Sequence, residues 1–385
     1  MTTTLALLTG PDAAGVARLA LAALGQRRGA GAVERRRVHH RPGADTTVSF
    51  AATPAGGTEV VVLVTDADVP APAVPLEVSG QSLRAWLHPL DPRLPALGSA
   101  LDPREVRGWL GPAASGVRID LLSYRPLRRA VVRAAVGERR FFVKVWRPER
   151  AEGLIARHRA LDAAGLGPRV VAVPAPGALV IADAEGVPLA TRLAEWNAHR
   201  ATLPEPAAVL RLLERLPESL LRFPVRASWS DRVDFHGAAA AAALPDHADE
   251  IQGIAGQVRR LLADRPETAR VPTHGDFYEA NVFVGPAGFT TLIDVDTAGP
   301  GRRVDDLACL LGHLAVLPDL SPGHYHRLPE VTQAWAAAFE RVEDPVALRA
   351  RVAGVLLSLV AGTTRPHALA RLDLCRSWLY RAENG

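Results

Sequence analysis

The chain has 385 residues, of which 48% are hydrophobic and 22% charged, and its formal net charge is +4. A chain of this length is expected to form two or three domains. Two cysteines exclude a disulfide framework, and the small net charge with 5% aromatic residues argues against nucleic-acid binding. The first residues lack a basic signal-peptide region, and no apolar stretch is long enough to span a bilayer. We therefore expect a cytoplasmic protein without nucleic-acid or membrane partners.

Residues 1–112 are predicted to form a small α+β domain. A short strand is expected at Thr4–Leu8 and a helix over Asp12–Leu24. Further β-rich runs lie at Val33–Arg41, Thr46–Thr53, Glu59–Thr65 and Ser82–Leu87. The turns between these runs predict an antiparallel meander, and the proline-rich stretch Pro89–Asp102 predicts a loop that links this domain to the next.

Residues 113–183 are predicted to form an antiparallel sheet of five strands with one helix. The strands are expected at Arg118–Ser123, Ala130–Val136, Arg140–Trp146, Val170–Val173 and Ala178–Ala182. Pro148, with Glu149 and Glu152 nearby, is typical of a helix start, and that helix should end near Ala164. Residues 184–385 have mainly helical patterns, interrupted by one β segment at 271–297.

Lys144 is the only lysine among the 45 basic Lys and Arg side chains. It lies in the apolar run Phe141–Trp146, which is typical of a buried strand, where a charge without a partner is costly. A lysine is a compact point charge, whereas arginine is a planar fork, and point charges commonly bind phosphate. The alternative is a lysine whose stem is buried and whose ammonium reaches the surface.

The most specific segment runs from Thr273 to Asp296. It contains His274-Gly275-Asp276, then Asn281, and then Ile293-Asp294-Val295-Asp296. The turn at 285–288 predicts a β-hairpin in which position 281 lies opposite about 292. Asn281 and Asp294 should then emerge together at the open end of the hairpin, where paired oxygen ligands suit Mg²⁺. Asp276 precedes the hairpin and could accept a proton or orient a hydroxyl group.

These motifs, with Asp305-Asp306-Leu307-Ala308 behind them, resemble the aminoglycoside phosphotransferase and choline kinase family. The resemblance covers roughly residues 117–385. It implies an α+β, protein-kinase-like bilobal fold, with an antiparallel-sheet N-lobe at 113–183 and a helical C-lobe at 184–385. The domain at 1–112 would precede this fold as a cap, and by its architecture it resembles the cap of bacterial maltokinases and glucosamine kinases.

The resemblance also implies roles for individual residues, with ATP and Mg²⁺ as cofactors. Lys144 would hold the α- and β-phosphates, Asp276 would be the catalytic aspartate that faces the acceptor hydroxyl, and His274 would order the catalytic loop. Asn281 and Asp294 would bind Mg²⁺, and Asp296 would either assist the metal or only support the loop. The other implied roles are adenine contacts by Ile181–Asp183, phosphate contacts by the glycine-free segment Ser123–Arg129, and support of the loop by Asp305 or Asp306.

The lysine of this family is normally paired with a glutamate on the following helix. Midway along that helix the chain has Ala156, Arg157 and His158, so Glu152, in the first turn, is the nearest candidate. The alternative for Glu152 is an acid that stabilises the helix N-terminus.

The implied function is transfer of the γ-phosphate of ATP to a hydroxyl of a small molecule, namely an aminoglycoside, a sugar or an amino sugar. Residues 184–385 carry a net charge of −4, from 21 basic and 25 acidic side chains, which favours an amine-bearing acceptor. Acidic candidates for binding it are Asp231, Asp234, Asp246, Asp249 and Glu250, which could equally be solvated helix ends. Trp229 could stack on a sugar ring or pack in the core. The alternative function is a nucleotide-binding pseudokinase that regulates or scaffolds.

Overall fold

The chain divides into two compact units in its computed structural model, which describes residues 3–26, 30–41, 43–54, 57–112, 114, 116–263, 265 and 268–384. The N-terminal unit comprises Met1–Ile155 with Val170–Asp183, and the C-terminal unit comprises Ala156–Arg169 with Ala184–Gly385. The division into domains at 1–112, 113–183 and 184–385 stays a prediction. In the part of the chain that is described, no helix is both long enough and apolar enough to cross a bilayer.

The first sheet of the N-terminal unit is antiparallel, with strand order β1-β2-β3-β5-β4. Its elements are α1 (Thr4–Thr9), α2 (Ala13–Ala23), β1 (Ala30–His40), β2 (Thr46–Pro54), β3 (Val60–Thr65), β4 (Val74–Val78) and β5 (Gln81–Leu87). The predicted meander is confirmed for β1, β2 and β3, which pair antiparallel in chain order. Val48, Phe50 and Val62 of these strands contribute to a core that α2 covers. The strand predicted at Thr4–Leu8 is wrong, since the Thr3 hydroxyl caps a helical turn there by accepting the N–H of Ala6.

The second sheet contains the five predicted antiparallel strands, in the order β6-β7-β8-β10-β9. The elements are α3 (Leu97–Ala100), α4 (Pro103–Leu110), β6 (Arg118–Arg125), β7 (Arg129–Val136), β8 (Arg139–Trp146), α5 (Pro148–Ala163), β9 (Val170–Ala172) and β10 (Ala178–Ala182). The stretch expected to be a loop contains α3. Leu94, Leu97 and Val106 pack with the buried face of this sheet, which includes Val132 and Val143.

Helices dominate the C-terminal unit, as the sequence predicts. Its elements are β11 (Val187–Pro188), α6 (Leu189–Asn197), α7 (Pro206–Glu214), α8 (Val233–Ala243), α9 (Ala248–Ala263), β12 (Val271–Thr273), β13 (Val282–Gly285), β14 (Gly288–Leu292), β15 (Gly299–Gly301), α10 (Arg303–Leu320), α11 (Pro322–Tyr325), α12 (Leu328–Phe339), α13 (Pro345–Ser358) and α14 (Arg365–Asn384). The core lies around α10 and α13, where Leu310, Leu311 and Leu356 are fully buried. Gly312 permits their close approach, because a Cβ there would lie 2.7 Å from Cγ1 of Val355.

Candidate active site

The first turn of α10 holds the loop that follows β12 through hydrogen bonds. The Asp306 carboxylate accepts the backbone N–H groups of His274, at 2.7 Å, and of Gly275, at 2.8 Å. Asp306 is only 2% exposed. Burial raises the pKa of Asp306 to about 7, although the two N–H donors act in the opposite direction. Of the two acids expected to support the loop, Asp306 is therefore the one in contact with it.

The His274 side chain connects this loop to the β-hairpin. Its imidazole is fully buried, with Nε2 3.0 Å from the carbonyl oxygen of Ile293 and Nδ1 3.3 Å from the backbone nitrogen of Asp276. A carbonyl can only accept and an N–H can only donate, so Nε2 carries the proton and Nδ1 accepts. Because Ile293 directly precedes Asp294, one neutral imidazole contacts the backbone beside both Asp276 and Asp294.

Gly275 makes a backbone turn that a side chain would obstruct. Its φ is +79°, in the left-handed region, and a Cβ would lie 3.0 Å from the carbonyl oxygen of Thr297. Thr297 in turn donates its hydroxyl to the carbonyl of His274, at 2.9 Å. The glycine therefore lets the loop lie directly against the segment that follows Asp294.

The hairpin brings Asn281 and Asp294 to its open end. Val284 pairs with Phe289 in the predicted register, and an irregularity between Val282 and Val284 then places Leu292 opposite Val282. The N–H of Ile293 consequently donates to the carbonyl of Asn281 at 2.9 Å, one residue beyond the predicted position. Asn281 donates its side-chain Nδ2 to the carbonyl of Asp276, at 2.9 Å, which ties the end of the loop after β12 to its start. Asp294 adopts the left-handed conformation, with φ 54°, where the strand ends.

The middle of α5 contacts the segment after Asp294, which the sequence analysis did not anticipate. His158 is 1% exposed, and its Nε2 lies 3.8 Å from Oδ1 of Asp296. Arg157 donates Nε to the carbonyl of Ala298 at 2.6 Å. These residues stand where the family's glutamate was expected. In this chain they support the loop that contains Asp296.

Two further acids lie next to the catalytic loop. Asp305 accepts Nε of Arg302, at 3.0 Å, and Nε of Arg351, at 2.9 Å, so its carboxylate joins α10 to α13. Glu279 is 6% exposed, and burial, reinforced by the charge of Asp276, raises the pKa of its carboxyl to about 7. The sequence analysis did not single out Glu279, because nothing in its local pattern signals burial.

Lys144 lies on β8, an interior strand of the second sheet, opposite Val131 on β7 and Leu179 on β10. Its side chain is half-buried, and Nζ lies 5.7 Å from the centre of the Trp146 ring. Glu152 is exposed on α5, and the described residues show no ion pair between it and Lys144. The structure therefore does not bring these two predicted partners together.

The other predicted nucleotide-binding residues also lie in the N-terminal unit. Ser123 is half-buried on β6, at an irregularity in its pairing with β7. Ile181 is buried on β10 opposite Phe142, and Asp183 follows that strand with Oδ2 2.6 Å from a guanidinium nitrogen of Arg140. Their roles stay predictions.

Arginines engage most of the acids that suggested a cationic acceptor. The pairs are Asp231 with Arg302, Asp234 with Arg259, Asp246 with Arg365, and Glu250 with Arg376. An arginine of the protein thus matches the charge of each of these four carboxylates. Among the residues described, Asp249 is the one of the five candidates without such a pair. The negative balance of this half of the chain is therefore a poor guide to the charge of its ligand.

A cavity of about 340 Å³ opens beside Gly275 in the C-terminal unit. Arg226, Trp229 and Arg232 line it, together with Arg302. Arg302 is already held by Asp231 and Asp305, whereas Arg226 is exposed and forms no ion pair in the described parts of the chain. Asp305 and Asp306 also line the cavity, but Arg302 and Arg351 engage Asp305, and the N–H groups of His274 and Gly275 engage Asp306. The cavity therefore combines an aromatic ring with the positive charge of Arg226 and Arg232 beside Gly275.

The chain matches the model of one protein family, the Phosphotransferase enzyme family (APH), over residues 127–350. That match covers more than half of the sequence and contains Lys144 and all the motifs around Asp276. The chain belongs to this phosphotransferase family. It is accordingly a small-molecule kinase with a protein-kinase-like fold, which transfers phosphate to a hydroxyl acceptor.

Comparison with curated proteins gives no significant match. Solved structures similar to this phosphotransferase include a thermostable mutant of the aminoglycoside phosphotransferase APH(4)-Ia without ligand, at 16% identity, covering 70% of this chain and 96% of that one with a TM-score of 0.48. An aminoglycoside-3'-phosphotransferase of type VIII is 22% identical, with coverage of 71% and 97% and a TM-score of 0.41. A Plasmodium vivax ethanolamine kinase is 12% identical, with coverage of 68% and 84% and a TM-score of 0.40.

Proposed function

We propose that this phosphotransferase moves the γ-phosphate of ATP to a hydroxyl group of a sugar-like small molecule. The observation that carries the proposal is the hydrogen-bonded loop in which His274, Asn281 and Asp306 together hold Asp276. Transfer of a phosphoryl group needs mainly positioning and charge neutralisation, and a rigid loop provides the positioning. Asp276 would accept or orient the proton of the acceptor hydroxyl, as the family resemblance implies.

Asn281 and Asp294 are the proposed ligands of Mg²⁺. Asn281 uses its Nδ2 to donate to Asp276, so its amide oxygen is the atom left for a cation. The described residues contain no group of three His, Cys, Asp or Glu side chains that could hold a metal. A site of one carboxylate and one amide oxygen suits Mg²⁺, which takes its remaining ligands from phosphate and water. When bound, Mg²⁺ would neutralise phosphate charge.

The role proposed for Asp296 is to support this site, since its carboxylate lies beside the buried His158. Lys144, as a point charge on a central strand, is the proposed ligand of the α- and β-phosphates. Ile181 and Asp183, at the end of β10, are proposed to meet the adenine. The segment Ser123–Arg129, which we call the phosphate turn, is proposed to lie along the phosphates.

The acceptor is proposed to bind in the cavity beside Gly275. Trp229 offers a ring on which a sugar could stack, and Arg226 and Arg232 offer hydrogen-bond donors to hydroxyl or acidic groups. Positive charge there disfavours a polycation, and the acids expected to bind amines are already paired with arginines. Among the expected acceptors, this favours a sugar over an aminoglycoside or an amino sugar.

The test is release of ADP from ATP and Mg²⁺ in the presence of a neutral sugar, a sugar acid, an amino sugar or an aminoglycoside. We expect turnover with a sugar or sugar acid, and its loss in Asp276→Asn. The matched control is Asp234→Asn, an exposed aspartate of the same unit that is paired with Arg259. Binding of ATP without turnover of any acceptor would instead support a regulatory pseudokinase and refute the proposal.

A further inference from the structure

The phosphate turn has a backbone that must be held in place by other parts of the N-terminal unit. It contains no glycine, yet Leu127 within it has a φ of 62°, in the left-handed region. For a residue with a side chain this conformation costs about 1–2 kcal/mol. It persists only where surrounding contacts determine it.

Asp91, in the segment between β5 and α3, makes the polar contacts that hold the turn. Its Oδ2 accepts the hydroxyl of Tyr124 at 2.7 Å and the backbone N–H of Leu127 at 2.8 Å. Its Oδ1 accepts the N–H groups of Arg93, at 2.9 Å, and Leu94, at 3.1 Å. Asp91 is 3% exposed, so four donors surround one buried carboxylate. Such charge-assisted bonds are among the stronger ones in proteins.

Apolar contacts with the first sheet hold the same residue. The Leu127 side chain is 1% exposed and packs in a cluster with Leu63 of β3, Trp86 of β5 and Val69. Nε of Arg147 also donates to the Leu127 carbonyl. The backbone N–H, the carbonyl and the side chain of Leu127 are therefore all engaged, and the first sheet supplies most of the apolar surface.

Positive charge collects around the turn, as expected of a segment that faces an anion. Arg128 lies at its tip, and its pKa is lowered by partial burial and by the neighbouring charges of Arg41, Arg147 and Arg125, whereas Asp45, the ion-pair partner of Arg41, acts in the opposite direction. Arg41 directly follows β1 of the first sheet. Mutual repulsion of this kind is relieved when an anion binds.

We propose that Asp91 is a positioning residue for nucleotide binding, and that the first sheet serves as a rigid support for the phosphate turn. Glycine-rich phosphate loops approach phosphate closely because they lack side chains. In this chain a glycine-free turn is instead held in one conformation from behind by Asp91 and by the packing of Leu127. The inference depends on the proposed function, because it assumes that the turn contacts the phosphates of ATP.

The test compares Asp91→Asn with Tyr124→Phe, which removes a single donor, and with the control Asp66→Asn. Asp66 also accepts a backbone N–H, that of Thr46 at 2.7 Å, but it does not touch the turn. An asparagine at 91 can accept with only one of its two terminal atoms, so one pair of donors loses its acceptor. The measurements are the Kd of ATP by calorimetry, KM and kcat, and amide exchange of the segment that contains Leu127.

We expect Asp91→Asn to raise the Kd and KM for ATP at least about tenfold, with kcat changed by less than about threefold, and to accelerate exchange in the turn. Tyr124→Phe should raise the Kd and KM for ATP by a few-fold. If Asp91→Asn does not fold, the test uses Tyr124→Phe instead. Asp66→Asn should match the wild type. A folded Asp91→Asn that binds ATP normally would overturn the inference alone. Failure of the wild type to bind ATP would refute the proposed function.

Discussion

Asp306→Asn is the most direct perturbation of the catalytic loop, because it keeps the shape of a buried side chain that holds two backbone N–H groups. The two carboxylate oxygens accept from His274 at 2.7 Å and from Gly275 at 2.8 Å. An asparagine in the same position directs its NH₂ group at one of these donors, since the two N–H groups bond to different oxygens of the carboxylate. One bond is lost, and a buried N–H faces another donor.

The magnitude follows from opposing terms. Loss of a charge-assisted hydrogen bond costs about 1.5–3 kcal/mol, and a buried donor without an acceptor costs about 1–3 kcal/mol. Removal of a buried charge offsets part of this, as the raised pKa of Asp306 indicates. We expect the free energy of unfolding of the C-terminal unit to fall by about 2–3 kcal/mol. Because the loop also positions Asp276, kcat should fall by about 10- to 100-fold.

The assay combines denaturant unfolding with steady-state phosphorylation of an accepted sugar. Asp305→Asn is the control, because Asp305 bonds to Arg302 and Arg351 without holding the loop. Asp305→Asn should lower the free energy of unfolding by a comparable amount, while its kcat stays within about threefold of the wild type. The reason is that kcat falls when a catalytic group is displaced, and not when the folded protein merely becomes less stable. A destabilised Asp306→Asn enzyme with wild-type kcat would refute the reasoning, since the loop would then keep its geometry without this carboxylate.

Three further predictions concern other residues. Lys144→Arg should raise the KM for ATP at least about tenfold, because a planar fork cannot replace a point charge at a tight phosphate site, whereas Arg139→Lys on the same strand should not. Gly275→Ala should lower the melting temperature and kcat, at a cost of about 1–3 kcal/mol, since φ is +79° and Thr297 lies 3.0 Å from the new Cβ; a stable, active variant would contradict this. His236 is 8% exposed, and burial, with Arg232, lowers its pKa to about 4. Between pH 6.5 and 4 the unfolded state therefore binds more protons at this residue than the folded state does, and His236 should cost up to about 3 kcal/mol of stability as the pH is lowered. His236→Phe should lose less stability than the wild type over this range, while His313, whose pKa burial also lowers to about 4, keeps its own contribution in both proteins; equal acid sensitivity of the two proteins would contradict the reasoning.

Local pattern was enough to predict most of the elements of the fold. The strands of both sheets other than β4, which was missed, the helix that starts at Pro148 and the hairpin after Asn281 all depend on alternation, capping and turn residues that lie close together in the sequence. The predictions failed where a short pattern is ambiguous. Thr4–Leu8 is apolar enough for a strand, but Thr3 caps it as a helix. The hairpin has the predicted register next to its turn, but an irregularity between Val282 and Val284 shifts the pairing of Asn281 by one residue.

The candidate site shows the same division. Sequence spacing alone indicated that Asp276, Asn281 and Asp294 act together, since a loop and one hairpin separate them, and it placed the single lysine on a strand. Only the tertiary structure decided what holds these residues. Asp306 rather than Asp305 supports the loop, and Arg157 reaches the Ala298 carbonyl from 141 residues away in the chain. Asp91 likewise holds Leu127 across a distance of 36 residues. The physical reason is that local conformational preferences depend on residues that are close together in the sequence. The partner of a buried charge or N–H group depends instead on which distant segments are packed together.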